Sequence, residues 1–183
     1  MRDVIENIFR RVAYEVLEKD LGEPSLFVSA LLGRVSLINS RAERLVVTLI
    51  GERAEEIVKP FFEFVEPVSH PFDFRGTLKR NGTEYTVKVV SGVKAFNSTT
   101  KKAVVEASYR YSRPIILTIQ GSFGDVHTRE LGKAKWYDGV ATWSFLTGRG
   151  DAYREFVRMV YDVARPYRSK IVSKIISEVS SRS

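Results

Sequence analysis

The residues best suited to chemistry in this sequence are the lysines and arginines of its second half. Residues 1–78 carry 10 basic and 13 acidic side chains, whereas residues 79–183 carry 19 basic and 9 acidic ones, so the net charge changes from −3 to +10. Aromatic side chains lie among these cations, as Trp136 and Tyr137 do beside Lys133 and Lys135. This pattern suits a polyanion, most commonly nucleic acid, although a basic composition that only keeps a protein soluble is the alternative.

Seven side chains are the predicted nucleic-acid contacts. Four come after a predicted strand that ends at Val90, and three come from a glycine-dotted segment further along. Asn97 stands at the entry to a predicted helix, where its amide and the positive end of the helix suit a phosphate. Such contacts supply affinity without sequence information. The seven are Lys94, Asn97, Lys101, Lys102, Arg129, Lys133 and Lys135.

Composition excludes several other kinds of site. The absence of cysteine rules out disulfides, cysteine-ligated zinc and a thiol nucleophile, and two histidines, His70 and His127, leave little for a histidine-rich metal site. The best apolar run, Leu45–Ile50, is far shorter than the roughly 18 residues of a membrane span. Acids near Met1 argue against a signal peptide. We therefore expect a cytoplasmic protein with neither a membrane partner nor a small-molecule substrate.

Helical periodicity dominates both ends of the chain. We expect one domain of 183 residues with a helical N-terminal part (1–66), a core (67–121) and a basic loop with C-terminal helices (122–183). Ser98 or Thr99 is the expected cap of the central helix, and Pro60 is expected to kink or divide the third helix. The predicted helices are 2–20, Ser25–Ile38, Arg41–Val65, Ser98–Tyr111, Val140–Leu146, Asp151–Ala164 and Pro166–Val179.

Strand patterns are confined to the middle of the chain: Phe72–Arg80, Glu84–Val90 and Ile115–Gln120. Asn81-Gly82 favours a type I′ hairpin between the first two. The third is apolar on both faces, which is typical of an interior strand, and the segment before it is long enough for a parallel crossover. Gly121–Gly139 is predicted to be a loop. The expected fold class is α/β (α+β), with a small mixed sheet flanked by helices.

One ordered set of motifs resembles a nuclease family. Its parts are Pro71-Phe72-Asp73, the Asn-Gly hairpin, the strand Tyr85–Gly92 with Phe96-Asn97 after it, Ile115–Gly121 with Phe123-Gly124, and Trp143–Gly148. Over roughly residues 51–175 their order and spacing are similar to the restriction-endonuclease-like PD-(D/E)xK superfamily. The closer similarity is to small type II restriction endonucleases of the PmeII type.

This resemblance implies a site and a partner. In such enzymes two carboxylates hold Mg²⁺ and a lysine acts on the attacking water. Asp73 matches the first acid, and Glu55 matches a helical acid that some members contribute, so these two are the implied metal ligands. The implied partner is double-stranded DNA. The implied assembly is a homodimer, because two copies address the two strands of a pseudo-palindrome.

The sequence departs from the family pattern at its centre. Alignment on Ser91-Gly92 places Lys88 at the second acid and Val90 at the lysine. An aspartate that faces an ammonium forms an ion pair more readily than it holds a divalent cation. We therefore expect Asp73 and Lys88 to pair in a residual centre, with cleavage absent or feeble. The expected function is a DNA-binding protein with a degenerate PD-(D/E)xK site.

Two other functions stay open. An active Mg²⁺-dependent endonuclease would need Lys88 in the lysine role, which puts Thr86 at the acid position and Glu84 about 13 Å away along the strand. Glu55 would then have to supply the second carboxylate beside Asp73. Mg²⁺ is the cofactor expected in that case, and no cofactor otherwise. The second alternative is a non-catalytic interaction subunit, in which these side chains are ordinary surface or strand-end residues.

Overall fold

The computed structural model describes residues 1–18, 51–92 and 96–180 of the 183-residue chain. The chain divides into two compact units, one made of residues up to Arg53 and from Met159 onward, the other of Ala54–Arg158. The predicted helix Ser25–Ile38, the first part of Arg41–Val65 and the side chain of Lys94 lie outside the described residues. Within the described ranges, no helix has both the length and the apolar character needed to cross a membrane.

Helix α1 (Arg2–Glu18) contributes the N-terminal part of the first unit. It buries Ile5, Ile8 and Val12, which recur at helical spacing, so the helix predicted from residue 2 is present. The last helix, α5 (Ala152–Ser180), runs through Pro166 without a break. The prediction of two separate helices there was wrong. A proline removes one backbone donor and crowds the preceding turn, but this 29-residue helix continues past Pro166 to Ser180.

The second unit is built on one six-stranded sheet in the order β1-β2-β3-β4-β6-β5. Strands β1, β2 and β3 form an antiparallel meander, β3 pairs in parallel with β4, β4 in parallel with β6, and β5 antiparallel to β6. The bounds are β1 Phe62–Pro67, β2 Phe74–Leu78, β3 Thr83–Gly92, β4 Pro114–Gln120, β5 Thr128–Leu131 and β6 Ala134–Tyr137. The parallel β3–β4 pair agrees with the predicted crossover. We call the edge at which β3, β4 and β6 end the carboxyl edge.

Helices flank this sheet, so the predicted mixed α+β class is confirmed at that level. Helix α3 (Ser98–Ser108) lies between β3 and β4 in the chain and buries Val104 in a cluster with Val90, Ile116 and Trp136. Helix α4 (Gly139–Thr147) packs with Trp143, whose indole N–H donates to the carbonyl of Ile119 at 2.9 Å. Short helix α2 (Ala54–Val58) precedes β1. Strand β4 is buried along all but its last residue, as expected of an interior strand.

The long helix predicted over Arg41–Val65 ends early. Helix α2 stops at Val58, a 3₁₀ turn covers Lys59–Phe61, and β1 starts at Phe62. Pro60 lies in that turn, and the residue before a proline is disfavoured in the helical region. The chain therefore leaves the helix where Pro60 was expected to divide it, and then becomes extended.

The structure corrects three further predictions about turns, caps and loops. The β2–β3 hairpin is present, but its loop covers the four residues between Leu78 and Thr83. Only Gly82 in this loop has a positive φ (64°), so the loop is not a type I′ turn. Asn97, rather than Ser98 or Thr99, caps α3 by accepting from the Thr100 N–H at 2.8 Å. The segment Gly121–Gly139, predicted to be a loop, contains the hairpin β5–β6. Both strands are only four residues long, which gives little alternation to detect.

Two glycines at nearly the same positive φ provide a matched test of this packing. A Cβ at Gly132 (φ 63°) would lie 2.5 Å from the Ser108 Oγ and 3.1 Å from the Val105 carbonyl oxygen, whereas a Cβ at Gly82 (φ 64°) would meet nothing within 4 Å. We expect Gly82→Ala to lower the free energy of unfolding by about 1 kcal/mol, the cost of the left-handed backbone. Gly132→Ala adds a steric clash and is expected to cost about 2–4 kcal/mol. Urea unfolding of both variants measures the difference, and equal losses would contradict this packing.

Candidate functional site

Asp73 lies at the end of β2 that faces the carboxyl edge. Its backbone N–H donates to the Val87 carbonyl at 2.8 Å, which continues the β2–β3 ladder by one residue. At the next step of the ladder a side-chain oxygen takes the place of a backbone carbonyl. The Asp73 Oδ2 accepts from the Val89 N–H at 2.6 Å. Both contacts fix the carboxylate against the middle of β3.

Lys88 supplies the charge opposite this carboxylate. Its Nζ lies 2.7 Å from Asp73 Oδ1, and the two side chains are 18% and 12% exposed. The predicted ion pair is therefore present, and it is largely shielded from water. A charge-assisted hydrogen bond in such surroundings is stronger than one between neutral groups.

The pKa of the Asp73 carboxyl is raised above its ordinary value. Burial is the largest cause and the charge of Glu55 adds to it, while the hydrogen bonds from Lys88 and the Val89 N–H act in the opposite direction. A carboxyl with a raised pKa contributes stability that is complete at low pH and is lost as the pH rises through that pKa. The ion pair therefore does not fully offset the cost of removing the carboxylate from water.

Val90, at the position that the resemblance assigns to the lysine, lies in the core. It is 7% exposed and packs with Val104, Ile116 and Trp136. Lys88 pairs in register with Ile116, so it points to the same α3-covered face of the sheet. An apolar side chain and helix α3 thus fill the place where a second amine would stand.

The relocated acid that an active endonuclease would need is not assembled on β3. Thr86 is buried, and its hydroxyl donates to the Ser112 carbonyl at 3.4 Å. Glu84 is exposed and lies 3.9 Å from the guanidinium of Arg75, four residues along the strand from Lys88. Neither residue presents a carboxylate beside Asp73.

Glu55 is the one predicted metal ligand that lies close enough for its charge to act on Asp73. It stands on α2 and forms an ion pair with Lys59 at 2.7 Å. Each of the two carboxylates therefore already has an ammonium partner. Among the described residues no three histidine, aspartate or glutamate side chains form a metal-binding group. These residues do not fit Mg²⁺, which prefers several oxygen ligands in octahedral geometry.

Two of the predicted DNA contacts flank one aromatic group, Phe96, Phe123 and Trp136, which we call the ring cluster. The Phe96 and Phe123 rings meet Trp136 edge-on at 5.1 and 4.7 Å between centroids. Lys101 Nζ lies 5.2 Å from the Trp136 ring, and the Arg129 guanidinium lies 4.5 Å from the Phe123 ring. Cation–π contacts hold both cations at the α3-covered side of the sheet.

Asn97 lies beside the ring cluster, at the first turn of α3. Its side-chain oxygen is used by the helix cap, so only its amide nitrogen is available for a phosphate. Lys102 is exposed on the same turn, next to Lys101. Trp136 is buried, so its ring is not open to stacking by a base, and its indole N–H donates to the Thr118 hydroxyl oxygen at 2.8 Å.

Two further predicted contacts, Lys133 and Lys135, lie elsewhere on the second unit. Lys133 stands at the other end of α3, where its Nζ lies 5.4 Å from the centre of the Tyr109 ring. At a rise of 1.5 Å per residue, this end is about 16 Å from the first turn of the helix. Lys135 lies over Tyr137 at 5.3 Å, and Tyr137 stacks on Phe145 of α4, on the opposite face of the sheet. The structure therefore does not gather the six predicted contacts that it describes on one surface.

A histidine–aspartate contact near the ring cluster was missed by the sequence analysis. His127 Nδ1 lies 2.9 Å from Oδ2 of Asp138, which is completely buried and caps α4 through the Ala141 N–H. Asp138 in front of an apolar helical run is a recognisable N-cap signal. Nothing in the local sequence indicates its contact with His127, which is 11 residues away.

Comparison of the sequence with protein-family models and with curated proteins gives no match.

A double-mutant cycle tests the Asp73–Lys88 pair. Asp73→Asn and Lys88→Met each leave one largely buried charge without its partner, so we expect each to lower the free energy of unfolding by about 2–3 kcal/mol. The double variant removes both charges and should lose much less than the sum of the two. Denaturant unfolding of all four proteins gives the coupling energy.

The exposed pair Glu66–Arg75, at 2.6 Å, is the matched control. Glu66→Gln and Arg75→Met should show a coupling within the error of the measurement, because solvent screens exposed ion pairs. A coupling at Asp73–Lys88 no larger than that of this control would mean that the shielded pair is energetically unimportant.

Proposed function

We propose that this chain binds double-stranded DNA on a restriction-endonuclease-like scaffold whose metal-dependent cutting centre has been lost. The observation that carries the proposal is the ion pair between Lys88 and Asp73, where the family pattern has a second acid beside the first. The burial of Val90 in the core supports it further, because the amine of that pattern has no replacement there.

The order of the elements supports the scaffold. Asp73 precedes a hairpin, the second hairpin strand leads through α3 into the parallel strand β4, and α4 follows, as in the motif order that carried the resemblance. Asp73, just before β2, and Lys88 on β3 are in contact, so the positions that the motif gives to its first and second acid adjoin here.

Positive charge near the ring cluster supports DNA binding. Lys101 and Arg129 come from α3 and β5 and flank the same three rings, and Lys102 is exposed on the same turn as Lys101. The first turn of α3 contains no acidic residue that would offset these cations. Phosphate contacts from such side chains would supply affinity independent of base sequence.

Binding is tested by fluorescence anisotropy with a labelled duplex of about 20 base pairs over a range of salt concentrations. We expect Lys101→Gln or Arg129→Gln to weaken binding about fivefold to tenfold at about 0.1 M salt and to lower the salt slope by about one, since each removes one phosphate contact. Lys135→Gln is the matched control and should bind as the unchanged protein does. No binding at about 50 mM salt would defeat the proposal and favour the interaction subunit.

Loss of the cutting centre is tested by adding a carboxylate. We expect the unchanged protein to leave plasmid DNA intact with Mg²⁺ or Mn²⁺ and to bind Mn²⁺ no better than an Asp73→Asn variant. Lys88→Glu places a third carboxylate beside Asp73 and Glu55, so it should raise Mn²⁺ affinity at least tenfold, measurable by electron paramagnetic resonance. Discrete plasmid fragments from the unchanged protein, abolished by Asp73→Ala, would establish the active endonuclease instead.

A further inference from the structure

The contact between His127 and Asp138 has the geometry of an oriented surface imidazole. The His127 side chain is 45% exposed while Asp138 is 0% exposed, and Nδ1 and Oδ2 are 2.9 Å apart. The same carboxylate accepts from the Phe123 N–H at 3.1 Å and from the Ala141 N–H at 2.9 Å. Within the described part of the chain, Nε2 of His127 has no hydrogen-bond partner. One ring nitrogen is therefore held inside, and the exposed imidazole leaves the other free to bind a ligand.

The backbone around His127 is held as firmly as its ring. The Asp138 N–H donates to the His127 carbonyl at 3.1 Å, and the Gly139 N–H donates to the Gly121 carbonyl at 2.8 Å. The Gly121 N–H in turn donates to the Tyr153 hydroxyl at 3.1 Å. The segment from Gly121 to His127 is thus tied at both ends to the start of α4. A group held in place before binding loses little conformational entropy when it binds.

Asp138 determines which nitrogen of His127 carries the proton in the neutral ring. Burial by itself raises the pKa of the Asp138 carboxyl, but hydrogen bonds from Ala141, His127 and Phe123 outweigh it, and the pKa lies below the ordinary value. Asp138 is therefore an anion wherever an imidazole titrates, and an ionised carboxylate only accepts hydrogen bonds. The proton of the neutral ring must lie on Nδ1. Nε2 is then a bare acceptor.

Protonation changes the chemistry of Nε2 from acceptor to donor. In the neutral ring its lone pair repels a phosphate oxygen, whereas in the imidazolium it presents an N–H and a positive charge. Asp138 is in direct contact with the ring through Nδ1. The other charged or titratable groups of the neighbouring elements are Arg129 on β5, Lys101 on α3 across the ring cluster, Asp125 in the same loop, Tyr137 on β6 and Tyr153 on α5.

The position of His127 joins it to the cations of the ring cluster. Phe123, whose N–H is bound by Asp138, carries Arg129 over its ring at 4.5 Å and meets Trp136 edge-on. His127 and Arg129 are two residues apart at the start of β5. Because residues two apart in an extended segment are about 7 Å apart, a nucleic-acid backbone that contacts Arg129 is within reach of His127.

We propose that His127 is a proton-dependent phosphate contact, which binds a backbone phosphate through Nε2–H when the imidazole is charged and not when it is neutral. The inference rests on the proposed binding of DNA and adds to it a residue and a regulating proton. The affinity for DNA then rises as the pH falls from about 8 to about 5.5, the range in which imidazole becomes charged. Because binding and protonation are linked, the protein must take up protons when DNA binds.

The experiment measures DNA affinity against pH for the unchanged protein and two variants. His127→Gln removes the titrating group, and His70→Gln removes the other histidine of the sequence as a matched control. At about 0.1 M salt we expect the unchanged protein and His70→Gln to bind the duplex more tightly at pH 5.5 than at pH 8. This gain in affinity should exceed the gain measured for His127→Gln by about fivefold. At pH 5.5, His127→Gln should also have a salt slope smaller by about one, since it lacks one phosphate contact. A residue that only holds the loop would alter the melting temperature without changing this slope.

Proton uptake gives a second measurement that needs no variant. Isothermal titration of the unchanged protein with DNA at pH 6.5, in buffers of different ionisation enthalpy, should give heats that reveal net uptake of protons. Binding with no pH dependence and no proton uptake would overturn the role of His127 while leaving the proposed function intact. A pH dependence that is equally large in His127→Gln would overturn it as well. Absence of DNA binding at every pH would defeat the proposed function itself.

Discussion

The centre of the second unit depends on the hydrogen bonds that one largely buried carboxylate, that of Asp73, accepts. Asp73 binds an ammonium through one oxygen and a backbone N–H through the other, and both partners lie on β3. A carboxylate removed from water needs such partners, since an unpaired one would cost several kcal/mol. The contacts that hold Asp73 are thus the same ones that join the end of β2 to the middle of β3.

That arrangement also decides what the site can do. With Lys88 at 2.7 Å, the negative charge that would attract a divalent cation is already neutralised, and Lys59 neutralises Glu55 in the same way. The neighbouring strand position, Val90, belongs to the packing of α3. The polar groups that the structure describes near Asp73 therefore form an ion pair against the hydrophobic core and leave no carboxylate free for a divalent cation. The groups suited to a polyanion stand at the ring cluster, where Lys101 and Arg129 lie against aromatic faces.

The proposed surface and the fold share one structural element, the start of α4. Asp138 caps that helix, binds the backbone of Phe123 and orients His127. Phe123 in turn carries Arg129 and meets Trp136, whose ring is part of the buried cluster with Val90. One buried carboxylate consequently positions a loop, a helix and an exposed imidazole. Because the same residue serves stability and surface geometry, the test of His127 relies on salt and proton dependence rather than on stability.

Local sequence was enough to predict a structural element wherever the interactions that form the element join residues close in the chain. The hairpin before β3, the helix after it and the buried character of β4 follow from glycine and asparagine chemistry and from runs of apolar residues. The Asp73–Lys88 pair was also predictable, because residues on adjacent hairpin strands meet. The type of turn at Gly82 and the cap at Asn97 were not, since several neighbouring residues offer the same chemistry.

Tertiary structure decided what depends on pairing between distant strands. The short strands β5 and β6 become visible only through pairing with each other and with β4, and this pairing sends Lys135 to one face and Arg129 to the other. Charge counts show that the second half of the chain is basic but not which cations share a surface. The sequence by itself determined the basic character, the acid–lysine pair and the strand–helix–strand core. Burial and register decided which cations lie together and which histidine is oriented, because side chains far apart in the chain meet only when the sheet has formed.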